Sequence, residues 1–334
     1  MKKQKKIIND PKNVVPEQIE GMIKASHGKL RQLDGITAVV SNSPVSGKVG
    51  IVIGGGSGHE PVSAGYIGPG FADGAACGNV FASPTPDIVL ETIKAVDTGA
   101  GVINLVLNYS GDNLNFDIAS EMAEEENIQT RSVRLWDDVA SAPPERVDDR
   151  RGIAGYIYFI KVVGAACAAG LSLDEVEKLA IKARENIRSI GVAVSSGAIP
   201  ESGEPTFEIG DDEIEIGMGI HGEPGVERIK MLPADELVTH MVNAILVDMP
   251  LLETDKVCLL VNNLGASTLM ELFIINRKVH SILKENNIQV HDTLVGSYCT
   301  SLEMAGFSIS MMKLDDELKT YYDAPAACAV WSKG

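Results

Sequence analysis

Short apolar runs of strand length recur along the first half of this chain, at 49–53, 102–109 and 129–136, each bounded by polar or glycine-rich sequence. Between them, apolar residues return every three to four positions, the spacing of a helix with one buried side. The spacing predicts helices over 15–33, stopped by Gly35, over 86–97, with Ile88, Val89, Ile93 and Val96 on one side, and over 116–126. Buried strands alternating with amphipathic helices predict a largely parallel sheet with helices on both faces. Two more helices follow at about 154–169 and 173–189, with the segment 171–174 supplying the cap between them and a charged, proline-containing loop at 137–151 before them.

From residue 191 the pattern changes. GVAVSSG reads as a strand, and within 206–220 the residues Ile214, Ile216, Met218 and Ile220 alternate with Glu213, Glu215, Gly217 and Gly219. A period of two marks a strand with one face exposed. A helix at 234–248, a strand at 256–263, a helix at 268–284 and strands at 289–298 and 307–312 complete the chain. The reading is therefore two α/β domains, a mostly parallel one over 7–190 and a smaller mixed-sheet one over 191–334. The chain shows no internal repeat and no low-complexity segment.

Length and composition fit this division. The 334 residues suffice for two ordinary domains, and 45% hydrophobic with 22% charged residues is the balance of a globular protein. A formal charge of −17 argues against nucleic acid and anionic membranes as partners. The basic start, MKKQKK, is interrupted by Asn9, Asp10 and Pro11 before any apolar stretch of signal-peptide length, and no run long enough to span a membrane follows. Five cysteines, odd in number and without a CxxC pair, fit reduced thiols in a cytoplasm.

Three glycine-rich segments carry candidate chemistry. GGGSGHEP (54–61) directly follows a strand, where glycines let the chain turn sharply and bring backbone N–H groups to a ligand. It ends in His59, which is either a satisfied structural histidine or a catalyst. NYSGDNLNF (108–116) follows the next strand and belongs on the same sheet edge, placing Asp112 beside the first loop. Asp112 caps the helix beginning near Asn115, forms a turn with Gly111, or pairs with His59 in acid–base chemistry on a hydroxyl. GMGIHGEPG (217–225) flanks His221 with glycines, which lets a small ligand approach the ring; a hairpin end with an exposed histidine would look the same. Ser83, Thr85, Asn262, Asn263 and Thr300 sit in loop-and-cap segments that either line a cleft or serve as turns and caps.

Several chemistries lack their signatures. No GxxxxGK[ST] supports a P-loop, and the kinase HRD and DFG motifs are missing. The glycine loop lacks the GxGxxG register and later acidic residue of a dinucleotide site, and no HExxH or paired metal ligands occur.

Eight ordered blocks, GKVGIVIGGGSGHEP, GYIGPG, FASPTPD, NYSGD, RRGIAG, GIHGEPG, VNNLGA and YCTSLEMAGFS, together resemble the dihydroxyacetone-binding subunit of dihydroxyacetone kinases. The likeness runs from about residue 7 to 331. It implies that His221 bonds through a ring nitrogen to the ketone carbon as a hemiaminal. It implies that His59 and Asp112 are acid–base groups, and that Gly56, Ser57 and Gly58 contact the substrate along with His59, Asp112 and His221. It implies no cofactor on this chain, with magnesium and ADP or ATP on a nucleotide-binding partner of the DhaL type. A phosphotransferase-system protein of the DhaM type would rephosphorylate that nucleotide, with phosphoenolpyruvate as ultimate donor. The family also forms homodimers and serves glycerol metabolism in the cytoplasm.

One position departs from the pattern. A lysine that contacts the substrate usually precedes the NY of NYSGD; here it is Leu107. Hydrogen bonds to charged groups contribute roughly 1.5–3 kcal/mol, so the change bears on which ketose fits, with erythrulose as an alternative to dihydroxyacetone. It also keeps open a second class of function, a ketose-binding coactivator without kinase activity. An oxidoreductase reading rests only on the glycine loop and lacks its fingerprint.

Overall fold

The structure, a computed structural model, describes residues 5–334; the first four residues of the basic start lie outside the described residues. By their contacts these residues form two compact units. The first gathers Lys5–Leu135, Phe159–Ala183 and Thr320–Gly334; the second gathers Trp136–Tyr158 and Arg184–Lys319. The division interleaves, unlike a single cut near 190. Residues 136–158 group with the later sheet because Ser189 N–H donates to Asp137 O at 2.7 Å and Val139 N–H to Ser189 O at 3.0 Å.

The first unit is built on six strands: β1 (Leu30–Gln32), β2 (Ala38–Ser41), β3 (Gly50–Ser57), β4 (Gly74–Val80), β5 (Val102–Leu107) and β6 (Thr130–Leu135). Their order is β1-β2-β4-β3-β5-β6, with β4, β3, β5 and β6 parallel, β2 antiparallel to β4 and β1 antiparallel to β2. Helices α1 (Val14–Ala25), α2 (Pro86–Val96) and α3 (Ser110–Glu125) belong to this unit. α2 and α3 bury Val89, Ile93, Phe116 and Ala119 against Val52, Val102 and Val106. Along the chain, β3 is followed by β4 on one side and β5 on the other, so the strand order reverses between β3 and β5. Open α/β sheets bind ligands at such a reversal, beyond the strands' C-terminal ends.

The chain passes to the second unit and back through α4 (Tyr156–Ala168) and α5 (Leu173–Glu185). The second unit's sheet comprises β7 (Ile187–Ser195), β8 (Glu213–Ile216), β9 (Glu227–Lys230), β10 (Lys256–Asn263), β11 (Gln289–Gly296) and β12 (Ala305–Leu314), ordered β11-β10-β12-β7-β8-β9. Only β10 and β11 pair in parallel, so this sheet is mixed. α6 (Ala234–Asp248) and α7 (Leu269–Glu285) bury Val238, Met241, Leu272 and Val279 on Val192, Ile214, Leu259 and Ile309. The architecture is thus two α/β domains, as the periodicity predicts. Among the described residues no helix is long and apolar enough to cross a membrane.

Several local expectations change. The first helix stops at Ala25 because His27 and Gly28 turn with φ of 53° and 79°, and Leu30–Gln32 then pair with Val39–Ser41. The strand expected over 206–220 is regular only at Glu213–Ile216, where Gly217, at φ 78°, breaks it. Ile214, Ile216, Met218 and Ile220 are all buried as the alternation requires, but so is Glu215, which pairs with Arg228 at 2.6 Å and takes the Gly225 N–H at 2.7 Å. The helix expected from 116 begins at Ser110. The expected helix end at 189 gives way to β7 from Ile187, and a short helix, Asp316–Asp323, follows β12.

Each unit holds one tryptophan. Trp136 is flanked by the guanidinium groups of Arg184 and Arg188 at 5.0 and 5.1 Å from its ring. Trp331 packs in the first unit between Phe71 and Tyr322, at 5.4 and 5.9 Å.

Candidate active site

The glycine loop begins inside β3. Gly54 cannot carry a side chain: a β-carbon there would lie 2.6 Å from Ala76 O and 2.9 Å from the Phe116 ring. One at Gly56 would lie 2.8 Å from Ala82 N. Gly58, at φ 103°, turns the chain out of the strand, and its N–H is held by the Glu60 carboxylate, both oxygens at 3.1 Å. Burial raises the Glu60 pKa against the backbone N–H groups that favour its charged form. Ser57 Oγ donates to Gly78 O at 2.7 Å, so its hydroxyl proton ties the loop to β4.

This turn delivers His59 to a buried position, where its ring stacks on Phe81 with centroids 5.0 Å apart and planes 18° apart. Phe81 N–H in turn donates to Ser57 O at 2.9 Å. Stacking and burial fix the plane of the imidazole.

Asp112 stands in the first turn of α3, where the helix dipole favours an anion. The N-cap residue is Tyr109, so Asp112 is not the cap that one sequence reading made it. The carboxylate is buried and lies over the glycine loop: Oδ1 is 3.9 Å from where a Gly55 β-carbon would sit. The turn is anchored by Asn115 Nδ2 donating to Pro84 O at 2.8 Å and Asn113 Nδ2 to Asn108 Oδ1 at 2.7 Å. β3 and β5, being parallel neighbours, thus bring the His59 loop and Asp112 to one sheet edge.

His221 belongs to the second unit, in a turn following Gly217. Gly219 N–H donates to Glu223 O at 3.0 Å and Gly222 N–H to Gly219 O at 3.1 Å, with Gly222 at φ 87°. His221 Nδ1 is 2.7 Å from Glu223 Oε1, and its backbone N–H donates to Oε2 at 3.0 Å. Burial would raise the Glu223 pKa, but the His221 hydrogen bond, the charge that ring carries when it is protonated at low pH, and two backbone N–H groups hold it down at about 2. Ser301 Oγ donates to Ile220 O and pins the turn. Arg151 Nη2 donates to Gly217 O at 2.7 Å and pairs with the buried Asp138 at 2.8 Å. Burial pushes Asp138 up to about 7, against Arg151 and with Asp137 adding to the rise.

The remaining candidates hold loops. Asn262 accepts the N–H groups of Tyr298 and Cys299 at 3.0 and 2.9 Å, and Asn263 those of Gly265 and Ser267 at 2.9 and 3.1 Å. Thr85 is the N-cap residue of α2, and Ser83 approaches the Gly111 turn. Thr300 is buried.

A family model described as the Dak1 domain matches residues 20–330. The chain belongs to the Dak1 family. Among the relatives of this Dak1 chain is the dihydroxyacetone-binding subunit DhaK of the phosphotransferase-system-dependent dihydroxyacetone kinase 1 of Listeria innocua, 45% identical over 313 residues, or 94% of this chain and 95% of that subunit. An L-erythrulose 1-kinase of Mycolicibacterium smegmatis is 36% identical over 98% of the chain and 58% of that enzyme. The crystal structure of the dihydroxyacetone kinase of C. freundii superposes with a TM-score of 0.90 at 33% identity, covering 98% of this chain and 60% of that kinase, so the chain spans part of its length. The dihydroxyacetone kinase operon co-activator DhaQ superposes equally well, with a TM-score of 0.90 at 30% identity over 96% of this chain and 99% of that one.

In this Dak1 chain Leu107 is the buried last residue of β5, in register with Leu135. Alternation places it on the sheet face opposite Val102 and Val106. Four participants escape sequence reasoning. β4 is written in small residues, GAACGNV, and shows no apolar period, so Phe81 beyond it has no visible partner. Glu223 carries a usable signal, His-Gly-Glu, in which the glycine lets the carboxylate fold back on the ring. Asp138 sits in a segment that reads as a charged loop, and Arg151, at its end, falls in the RRGIAG block with no role attached to it.

Proposed function

We propose that this chain is the ketose-binding subunit of a phosphotransferase-system-dependent dihydroxyacetone kinase. The observation that carries this is the 45% identity, over 94% of the chain, to a dihydroxyacetone-binding subunit, in a chain whose GGGSGHEP, NYSGD and GIHGEPG segments hold His59, Asp112 and His221. The lone pair of a His221 ring nitrogen attacks the ketone carbon, the carbonyl π pair moves onto oxygen, and that oxygen takes a proton, giving the hemiaminal. His59, with its ring plane fixed by Phe81, serves the proton transfers. Asp112 accepts the proton of the terminal hydroxyl as its oxygen attacks phosphorus. Holding the ketose covalently lowers the entropic cost of that transfer. Glycerol, without a carbonyl, forms no adduct.

The phosphoryl group comes from a DhaL-type partner carrying the nucleotide and magnesium, recharged from phosphoenolpyruvate through a DhaM-type protein, and the subunit works as a homodimer in the cytoplasm. The test is direct. The chain, mixed with those two proteins, phosphoenolpyruvate and a panel of short ketoses, phosphorylates at least one of them. A complete mixture that phosphorylates none overturns the proposal.

Two observations favour other readings. Leu107, an apolar group where the family resemblance leads to the expectation of a lysine, and the kinship to an L-erythrulose 1-kinase favour a longer ketose. The likeness to the operon co-activator over nearly the full length of both chains favours a sensor. Asp112→Asn separates enzyme from sensor: an enzyme loses nearly all turnover, whereas a sensor has none to lose and keeps its ketose.

A further inference from the structure

The turn carrying His221 contains an arrangement that decides which ring nitrogen can react. Glu223 reaches back two residues and takes both donors of one histidine, the ring Nδ1 at 2.7 Å and the backbone N–H at 3.0 Å. Its carboxylate has little room to leave. A β-carbon at Gly219 would overlap Glu223 Oε2 and lie 2.6 Å from Arg151 Nη1, so carboxylate and guanidinium occupy the place of a missing side chain. Arg151 is itself fixed by Asp138 at 2.8 Å and Gly217 O at 2.7 Å. An ionised carboxylate accepts hydrogen bonds and donates none. Nδ1 must therefore be the donor, and in a neutral imidazole the lone pair then lies on Nε2.

We infer that Glu223 is the positioning residue that keeps the His221 proton on Nδ1, directs nucleophilic attack through Nε2, and balances the charge the ring acquires in the adduct. This deepens the reading above, on which the meaning of that lone pair rests. When Nε2 bonds the carbonyl carbon, the π pair passes to oxygen and oxygen takes a proton from a neighbouring acid. The imidazole becomes an N-substituted imidazolium that still carries its Nδ1 proton. Glu223 sits against that positive ring in the adduct and against a neutral one before it, so it stabilises the adduct selectively.

The near-isosteric change Glu223→Gln makes an unusual prediction. A backbone N–H can only donate, so the single amide oxygen must stay on the His221 N–H. The amide NH2 then faces Nδ1, which has to accept, and the ring switches to the Nε2–H form. In a serine-protease triad the corresponding carboxylate-to-amide change costs on the order of 10⁴-fold through the wrong tautomer.

The experiment uses long-range proton–nitrogen NMR of the full chain labelled with 15N-histidine, without ketose. His221→Gln identifies the His221 signals among the six histidines. The wild type shows the Nδ1–H tautomer. Glu223→Gln shows Nε2–H, with the other five histidines unmoved as proof of folding, and binds dihydroxyacetone or erythrulose roughly 10²–10⁴-fold more weakly. An Nε2–H wild type, or a Gln variant with the wild-type tautomer or wild-type ketose binding, overturns the inference. Because the tautomer is read without ketose, a wild type in the Nδ1–H form that binds no ketose sinks the functional reading and leaves the assignment of Glu223 standing.

Discussion

One guanidinium nitrogen of Arg151 serves two masters: Nη2 lies 2.8 Å from the Asp138 carboxylate and 2.7 Å from the carbonyl oxygen of Gly217, at the foot of the His221 turn. Nε adds a second bond to Asp138 at 3.0 Å. A lysine offers a single point charge and cannot reproduce this fork. Arg151→Lys is expected to loosen the turn and weaken ketose binding about tenfold, read by calorimetric titration. In Arg151→Met, Asp138 loses the cation that offsets its burial, and its pKa rises beyond about 7. A carboxylate whose folded pKa exceeds its unfolded one contributes full stability below the unfolded pKa and loses it as pH rises through the folded pKa. The Met variant is therefore most destabilised above pH 7 and recovers toward pH 5, which urea titrations at both pH values will show.

Asp248 answers to two arginines, Arg150 at 2.5 Å and Arg188, with Arg150 fully buried. Removing the carboxylate leaves a guanidinium in the interior without its counter-ion. Asp248→Ala is expected to cost about 3–5 kcal/mol, measured by chemical denaturation. A loss below 1 kcal/mol would contradict the burial described here.

Gly78 and Gly21 make a matched pair. A β-carbon at Gly78 would overlap Ala82 O and lie 2.7 Å from Pro84 N, whereas one at Gly21, inside α1, meets nothing within 4 Å. Gly78→Ala should destabilise by about 1–3 kcal/mol and disturb the His59 loop that Ser57 ties to it. Gly21→Ala should stabilise by roughly 0.5–1 kcal/mol. Thermal melts of the two variants, shifting in opposite directions, check both.

Glu223, held at about 2, supplies a pH signature. A depressed carboxylate pKa contributes stability above the unfolded value and loses it as pH falls through the folded one. Between about pH 4.5 and 2 the wild type should therefore lose roughly 1–3 kcal/mol more than Glu223→Gln does, in parallel acid titrations followed by circular dichroism.

Much of this was legible from residue types alone, and the failures share a cause. The strands at 102–107 and 256–263 and the helix at 234–248 stand out because apolar side chains mark them. β4 does not, because Thr92 and Val96 pack against its backbone at Gly74 and leave no space for side chains there. The early start of α3 at Ser110 is hidden because Asn, Ser, Gly and Asp are turn formers until tertiary packing overrides them. That the His59 loop and Asp112 fall on one edge was readable, since parallel strands end at one edge; that β3 and β5 are neighbours was not, because it depends on the unread β4 taking the other side of β3. The bond from Glu223 to His221 depends on a turn geometry that spacing does not encode.

The two tryptophans carry a practical consequence. Trp136, clasped by Arg184 and Arg188, lies in one compact unit and Trp331, among Phe71 and Tyr322, in the other. Nature has thereby installed one optical reporter per unit. Replacing either indole with phenylalanine leaves the emission of a single known neighbourhood. Whether the halves of this chain come apart together or in turn can then be watched without attaching a dye.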